Sequence, residues 1–385
     1  MPSTSKLSRR TGLTALALAL LLVFPATAQT TADPTAQFGE LVEVSEVLLD
    51  VLVTDGDGQV VVGLAADDFV VVENGEERPV TGASFYSNRF RVEGESRQGE
   101  LRKPAENEVL ADRFFILFFH DQRRTIDATN VLWRQQLDAA RQAKRWIEKE
   151  MLGGDWVAVA SHDVKLKVHS DFTRDRGRLL DAIDRAIEGK DPSNEWKSRR
   201  PENEDDGSPA LLANLPAGND LRDETTRMYD SLRLLAEASR PIVGRKNLML
   251  FSIGFGDVRN AAGSGGFTSG SFVSRPDERF YPAMKEALNA NNVAIYPIDL
   301  TPNNLQHAQR DFMQLLAVDT GGTYHFNFTN FVTPMRQIAD EANGYYLLSY
   351  LAEHRSGENG YREVQIRPRN PEFEVQARRG YRYGT

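Results

Sequence analysis

The sequence predicts an α/β protein with a doubly wound, mostly parallel sheet and a smaller β module made from the two ends of the chain. Nearly all-apolar runs such as residues 114–119 and 248–251 are each followed by a segment with helical spacing. A strand without polar alternation is buried on both faces, which requires helices on both sides of a parallel sheet. Residues 41–54, by contrast, alternate apolar and polar side chains, which is typical of strands with one exposed face.

The first 28 residues have the order of a secretory signal. Lys6, Arg9 and Arg10 precede the apolar run 13–24, and Ala26-Thr27-Ala28 supplies small residues for cleavage after Ala28. A transmembrane anchor is the alternative, but about 12 apolar residues at roughly 1.5 Å each are too short for a hydrocarbon core of roughly 30 Å. We therefore expect an exported protein, periplasmic or extracellular, with no membrane span after cleavage. The arginine pair leaves Sec and twin-arginine export both open.

Composition excludes several classes of function. Loss of the three positive charges of the signal would change the formal net charge from −9 to −12, which argues against nucleic acid or anionic lipid as partners. The chain has no cysteine, so it has no disulfide and no thiolate nucleophile. Its six histidines form no HExxH spacing, which argues against the commonest zinc hydrolases.

Residues 38–100 read as an N-terminal β module. Two strand pairs turn at residues 55–58 and at Asn74-Gly75. Asp55 and Asp57 fit a hairpin turn better than a calcium site, because Asp-Gly pairs readily adopt positive φ. Residues 91–110 are charged and without periodicity, as expected of a linker.

Residues 110–343 alternate strands with helices and form the predicted α/β domain. The predicted strands are 114–119, 156–161, 164–169, 247–252, 293–298 and 323–326, and the predicted helices are about 128–150, 175–188, 221–239, 279–291, 304–319 and 330–342. Two inserts, 189–220 and 259–274, are polar or rich in Gly and Ser and are expected to be mobile loops. Residues 344–385 return to a β pattern and are expected to complete a sandwich with the N-terminal module.

Polar residues at the carboxyl ends of the parallel strands are the first candidates for a site, since ligands of such sheets bind there. Asp121 follows the strand 114–119, and Asp299 ends the strand 293–298. His120 is expected to point away from Asp121, because neighbours on a strand face opposite sides. His162, Asp163 and Asp171 are expected to be solvated.

Several phrases in collinear order resemble the von Willebrand factor type A domain, and more narrowly the exported VWFA-related Acidobacterial-domain proteins. They occupy residues 48–75, 244–257 (GRKNLMLFSIGFGD), 291–300 (NNVAIYPIDL), 316–327 (LAVDTGGTYHFN), 345–353 and 360–369. The resemblance covers nearly the whole chain after the signal. It implies a type A α/β domain that carries a metal-ion-dependent adhesion site at the top of its sheet.

The resemblance also locates the residues of that adhesion site. The family's DxSxS stretch falls on Asp121 to Thr125, where Arg123 replaces the middle serine and Thr125 the last one. The family's threonine falls on Thr226, and its later aspartate falls on Ile253. Ser252 and Asp257 are the nearby side chains with oxygen atoms.

These departures predict a degenerate site that is poor in metal or free of it. An alkyl group in place of a carboxylate, and a guanidinium in place of a hydroxyl, remove charge compensation for a divalent ion. No cofactor is therefore expected. If Mg²⁺ or Mn²⁺ is bound, the implied ligands are Asp121, Thr125 and Thr226. Arg123 is instead expected to pair with Asp121 or to bind a partner's carboxylate.

We accordingly expect an exported, non-enzymatic binding or adhesion protein that contacts a protein partner. An acidic side chain of that partner is one candidate for the contacting group. The contact residues would be Asp121, Arg123, Thr125, Thr226, Ser252 and Asp257. One alternative is a structural component of an envelope assembly with a vestigial site. The other is a metal-dependent hydrolase built on insert carboxylates, which are Glu202, Glu204, Asp205 and Asp206.

Overall fold

The computed structural model describes residues 42–87, 91–93, 100–102, 112–121, 130–163, 165–188, 208–260, 272–302 and 309–384. The predicted signal peptide, Arg123, Thr125 and the insert carboxylates at 202–206 lie outside these residues. Residues 41–385 cluster as one compact unit. The predicted domain boundaries within that unit stay predictions.

The described chain forms the following strands: β1 (Val42–Thr54), β2 (Phe69–Glu73), β3 (Glu76–Arg78), β4 (Val80–Ser87), β5 (Arg91–Glu93), β6 (Glu100–Arg102), β7 (Arg113–His120), β8 (Asp155–His162), β9 (Leu166–Thr173), β10 (Lys246–Ser252), β11 (Asp257–Asn260), β12 (Phe272–Arg275), β13 (Val293–Asp299), β14 (Gly344–Arg355), β15 (Gly360–Pro368), β16 (Glu374–Ala377) and β17 (Gly380–Tyr383). The helices are α1 (Asn130–Lys149), α2 (Arg176–Glu188), α3 (Gly218–Glu224), α4 (Met228–Ala238), α5 (Tyr281–Ala290), α6 (Arg310–Thr320) and α7 (Val332–Glu341).

The central sheet has five strands in the order β13-β10-β7-β8-β9. The first four are parallel, and β9 joins the edge antiparallel to β8. Every side chain of β7, β10 and β13 is buried, as their apolar sequences predict. The predicted α/β class with a mostly parallel sheet is therefore confirmed.

The two faces of this sheet have separate hydrophobic cores. On β7, Phe114, Ile116 and Phe118 belong to one core together with α4, α5 and α6. Their neighbours Phe115, Leu117 and Phe119 belong to the other, together with α1, α2 and α7. Successive side chains of β7 therefore enter the two cores alternately. Because both faces of the sheet are filled, a ligand site of this domain is expected at the strand ends.

A buried ion pair fixes the amino-terminal end of the central strand. Arg113 donates to both carboxylate oxygens of Asp155, at 2.6 and 2.7 Å, and its remaining nitrogen donates to Ala339 O and Asn343 Oδ1, each at 2.7 Å. The bidentate geometry and the extra acceptors compensate two charges that are almost fully buried. Arg113 therefore links β7, β8 and α7 at the edge of the sheet where β7 and β8 begin.

The two ends of the chain pair with each other, as the sequence suggests. β1 pairs antiparallel with β14 and with β16, and the four-stranded sheet has the order β16-β1-β14-β4. A second four-stranded sheet has the order β17-β15-β2-β3. Side chains from both sheets share one hydrophobic cluster that includes Leu49, Phe69 and Tyr346. The closed β-sandwich itself stays a prediction.

Several local expectations differ from the structure. β5 and β6 pair within the predicted linker, and β11 pairs with β12 across the two ends of the predicted insert 259–274. The predicted helix 221–239 is two helices, because the Thr225 hydroxyl donates to Leu221 O at 2.5 Å and accepts from Leu166 N–H at 3.0 Å. β17 was not predicted. Among the described residues, no helix has both the length and the apolar content that crossing a bilayer requires.

Candidate functional site

Three parallel strands end side by side at one edge of the central sheet. Ser252 of β10 is in register with Asp299 of β13, and its neighbour Phe251 is in register with Phe119 of β7. Asp121 directly follows β7. We call this edge, made by Asp121, Ser252 and Asp299, the crown. Its position is the one that the sequence predicts for a site.

The hydroxyl of Ser252 is engaged within the protein. Its Oγ lies 2.8 Å from His120 Nδ1 and accepts from the Gly254 N–H at 2.9 Å. Both Ser252 and His120 are buried. Burial, with a smaller contribution from nearby His162, lowers the pKa of His120 to about 3, so this imidazole is neutral at pH 7. The contact between the neutral His120 ring and the Ser252 hydroxyl joins the ends of β7 and β10.

Asp121 is mostly buried, with 8% of its surface exposed. Its backbone N–H donates to His162 O at 2.7 Å, which extends the pairing of β7 and β8 by one residue. The His162 ring lies 5.7 Å from that of His120, and its Nε2 lies 3.2 Å from Thr225 O. His162 Nδ1 is buried and has no hydrogen-bond partner, and burial lowers the pKa of this imidazole.

Asp299 is also engaged within the protein. One carboxylate oxygen accepts from the Thr301 N–H at 2.8 Å, and the other accepts from the Tyr324 hydroxyl at 2.8 Å. Burial, followed by the charge of Asp299, raises the pKa of the Tyr324 hydroxyl, which keeps it a donor. Asp299 thus shapes the turn after β13.

The two threonines between α3 and α4 have opposite environments. Thr226, the residue that the resemblance implies as a site threonine, is exposed. Thr225 is fully buried, and its hydroxyl and carbonyl bond to Leu221, Leu166, Ser231 and His162. Thr225 therefore fastens the α3–α4 corner to β8 and β9. The sequence alone does not distinguish the two, since they are adjacent.

A chain of aromatic contacts connects the crown to α4. The Phe255 ring lies 6.0 Å from that of His120 and 5.1 Å from that of Tyr229. Tyr229 in turn lies 6.3 Å from Phe280. Burial raises the pKa of Tyr229 to about 12, and the charge of Asp257 adds to this effect. Asp257 is exposed, and its charge also acts on Arg279.

Two exposed arginines, Arg227 and Arg279, stack on the ring of Phe280. The guanidinium carbon of Arg227 lies 4.3 Å from the ring centroid, and that of Arg279 lies 5.1 Å from it. Their side chains are 54% and 76% exposed, and they pair with Asp230 at 3.1 Å and Asp277 at 2.7 Å. The hydrogen bonds from Arg279 lower the pKa of Asp277 to about 2. We call Thr226, Arg227, Asp257, Arg279 and Phe280 the rim patch.

Arg227 and Arg279 were not predicted from the sequence because they belong to no recognised motif. Arg279 lies in a run of charges at residues 275–279, which is equally typical of a solvated loop. The prediction that His162, Asp163 and Asp171 are solvated is wrong. All three are buried. Asp171 accepts from the Leu211 and Leu212 N–H groups at 2.6 and 3.0 Å, His162 Nε2 lies 3.2 Å from Thr225 O, and Asp163 accepts from Lys167 Nζ at 2.9 Å.

The described part of the crown does not fit a divalent metal. Mg²⁺ takes about six oxygens at roughly 2.1 Å. Here the Ser252 hydroxyl is engaged by His120, the Asp299 carboxylate is engaged by two donors, and Ile253 offers an alkyl group. Within the described ranges, no three side chains of His, Cys, Asp or Glu lie where they could hold one ion. Arg123 and Thr125, which complete the predicted set, lie outside those ranges.

Comparisons with known proteins gave the following results. No family model and no curated protein matches the chain. Among solved structures, it is similar to proximal thread matrix protein 1 from the mussel byssus at 13% identity and a TM-score of 0.35, covering 60% of this chain and 48% of that one. It is also similar to the ArnB paralog VWA2 from Sulfolobus acidocaldarius at 11% identity and a TM-score of 0.34, covering 88% and 75%.

A third similar structure is the VWA domain of SpRpn10, at 15% identity and a TM-score of 0.31, covering 59% of this chain and 95% of that one. The chain thus spans about half the length of the mussel protein that it matches. At these TM-scores the likenesses do not decide the family, which stays a prediction.

Proposed function

We propose that the α/β part of this chain is a type A-like domain that binds another protein, without catalysis and without a bridging metal ion. The rim patch is the contact surface, and the crown behind it gives that surface a fixed shape. The β strands from the two chain ends form the sandwich that mounts the domain. The predicted signal peptide would deliver the protein outside the cytoplasm.

One observation carries the proposal, which is the pair of exposed arginines stacked on Phe280 beside exposed Asp257 and Thr226. Arginine stacked on an aromatic ring is partly pre-organised, so it loses less conformational entropy when it binds a carboxylate. Asp257 adds an acceptor, which gives the patch both signs of charge. Such a surface suits recognition of a polar protein face.

The crown supports this function by being closed. Ser252 Oγ and His120 Nδ1 are 2.8 Å apart, the spacing of a nucleophile and a base, but Ser252 is fully buried and burial lowers the pKa of His120 to about 3, so this imidazole is a weak base away from solvent. The metal-mediated contact that the family resemblance implies would need oxygen ligands that Ser252 and Asp299, which already have partners in the protein, do not supply. Recognition is therefore assigned to the side chains of the rim patch.

A capture experiment on an envelope fraction tests the proposal. The immobilised full chain is expected to retain one specific band in the presence of EDTA. The double variant Arg227→Ala/Arg279→Ala should lose this band, because both stacked guanidinium groups are removed. Asp67→Ala changes an exposed acid in the short 3-10 helix before β2 and is the control, which should retain the band.

Two results would contradict the proposal. A band that disappears in EDTA and returns with Mg²⁺ would show a metal-mediated contact. A band that the double variant retains would place the contact elsewhere, on the inserts or on the β strands.

A further inference from the structure

A second polar site lies where the α/β domain meets the terminal strands. A cavity of about 680 Å³ is lined by the turn after β1, the segment 323–325, the end of α7, the start of β14, and β16. Its volume falls in the range of small-molecule pockets, roughly 300–1,000 Å³. None of the residues predicted for the crown site lines it.

Four residues that line this cavity each carry a buried polar atom without a hydrogen-bond partner. Thr323 Oγ1, His325 Nε2, Glu341 Oε2 and Gln376 Oε1 are each buried and have no hydrogen-bond partner in the protein. All four side chains line the cavity, and His325 is only 6% exposed. Buried polar groups in native proteins are hydrogen-bonded as a rule, so a cluster of unsatisfied ones indicates a place where a ligand completes the bonding.

The chemistry of these atoms selects the ligand. Gln376 Oε1 can only accept, and so can an ionised Glu341 carboxylate. Burial lowers the pKa of His325 to about 4, so at pH 7 its ring is neutral and can accept at one nitrogen. The Thr323 hydroxyl can serve in either role. The ligand must therefore bring several hydrogen-bond donors.

The charges around the cavity favour a cation. Asp57, Asp340, Glu341 and Glu374 line it, and no lysine or arginine is among its lining residues within the described chain. Arg245 influences Glu341 electrostatically but does not line the cavity. Low-dielectric walls with charge of one sign focus the field and attract the opposite charge.

A metal ion does not fit this cluster, although four acidic residues and a histidine line the cavity. Within the described residues, no three such side chains come close enough to share one ion. Val60, Val62 and Phe85 instead give one wall an apolar character that suits an alkyl chain. An organic cation satisfies the acceptors, the negative field and the apolar wall together.

We propose that this cavity binds a small organic cation with N–H donors, a primary amine or a guanidinium on an alkyl chain. Glu341 is its counter-ion, and His325, Thr323 and Gln376 orient its N–H groups. The apolar wall of Val60, Val62 and Phe85 packs against the alkyl part. The inference concerns a different site from the rim patch and does not depend on the proposed function.

Calorimetric titration of the full chain tests the assignment with three probes. Putrescine and agmatine represent free amines and guanidines, and N-acetyl-lysine methylamide represents a lysine side chain of a peptide. Saturable binding of the free cations alone would assign the site to a small molecule. Saturable binding of the blocked lysine would assign it to a peptide side chain.

Variants locate the binding and keep the test independent of folding. Glu341→Gln keeps the size of the side chain and removes its charge, and it should weaken binding at least tenfold while the melting temperature does not fall. Thr323→Val should weaken binding several-fold. Glu358→Gln, at an exposed acid in the turn after β14, is the matched control and should bind as the wild type does.

Two outcomes would overturn the inference. If none of the three probes gives saturable heat up to millimolar concentration, the cavity holds water only. If a probe binds with the same affinity to wild type and to Glu341→Gln, the cation sits elsewhere on this acidic protein.

Discussion

The crown and the cavity differ in how their polar atoms are satisfied. At the crown, Ser252 and Asp299 have partners inside the protein, and nearby His162 Nδ1 is a buried atom without a hydrogen bond. At the cavity, four side chains present buried atoms with no partner. Ser252 and Asp299, at the edge where the fold class places a site, thus have partners, whereas four residues with unsatisfied atoms line the cavity where two parts of the chain meet.

This difference separates two uses of buried polar residues. A satisfied network fixes a backbone and gives rigidity to the surface above it. A cluster of unpaired buried polar atoms lowers the stability of the free protein. Such a cluster is expected where a ligand supplies the missing hydrogen bonds. Substitutions should therefore affect mainly stability at the crown and mainly binding at the cavity.

The largest expected effect is a pH dependence at the cavity. Burial raises the pKa of Glu341 from 4.5 to about 7, with Arg245 opposing the shift and Asp340 adding to it. Between these values the folded protein keeps a proton that the unfolded chain has released. The free energy of unfolding should therefore fall as the pH rises through this window, by up to about 3 kcal/mol.

Chemical denaturation at about pH 5 and about pH 8 measures this slope, and Glu341→Gln should remove it. The other titratable groups that face the cavity are His325, Asp57, Asp340 and Glu374, and they are present in both proteins. The lowered pKa of His325 acts in the opposite direction below pH 6.5, and it cancels in the comparison. Equal slopes in the two proteins would show that Glu341 is not buried as described.

At the crown, Ser252→Ala should lower the free energy of unfolding by about 1–3 kcal/mol. The reason is that His120 Nδ1 and the Gly254 N–H both lose their partner in a buried place. Urea denaturation monitored by circular dichroism gives the value. An unchanged midpoint would mean that the crown is hydrated rather than closed.

The smallest expected effect is that of Thr323→Val at the cavity, within about 1 kcal/mol and toward higher stability. Its hydroxyl makes no hydrogen bond in the protein, so its removal leaves no donor or acceptor stranded. The same denaturation experiment applies. If Thr323→Val lowered the free energy of unfolding as much as Ser252→Ala does, the proposed difference between the cavity and the crown would be wrong.

Much of the fold could be predicted from the sequence because it depends on local patterns. The all-apolar runs of β7 and β10 indicated a parallel sheet covered on both faces, and the position of Asp121 at a strand end followed from that. The break between α3 and α4 was missed, because it depends on a bond between Thr225 and Leu166, 59 residues earlier in the chain.

The cavity could not be predicted, for a related reason. It is assembled from residues 54–62, 323–325, 337–344 and 374–376, which come together only through the pairing of β1 with β14 and β16. In the sequence, Glu341 reads as an ordinary helix charge and His325 as a lone histidine. Neither residue type nor local spacing shows that a particular atom lacks a partner.

We infer that a ligand completes hydrogen bonds at the cavity and not at the described residues of the crown. Parallel calorimetric titrations of the full chain with agmatine and with Mg²⁺ test it most directly, using Glu341→Gln and Asp121→Asn as the paired variants. We expect saturable heat with agmatine that Glu341→Gln weakens at least tenfold and Asp121→Asn leaves unchanged, and no saturable heat with Mg²⁺. Saturable Mg²⁺ binding that Asp121→Asn abolishes, together with no agmatine binding, would contradict the account.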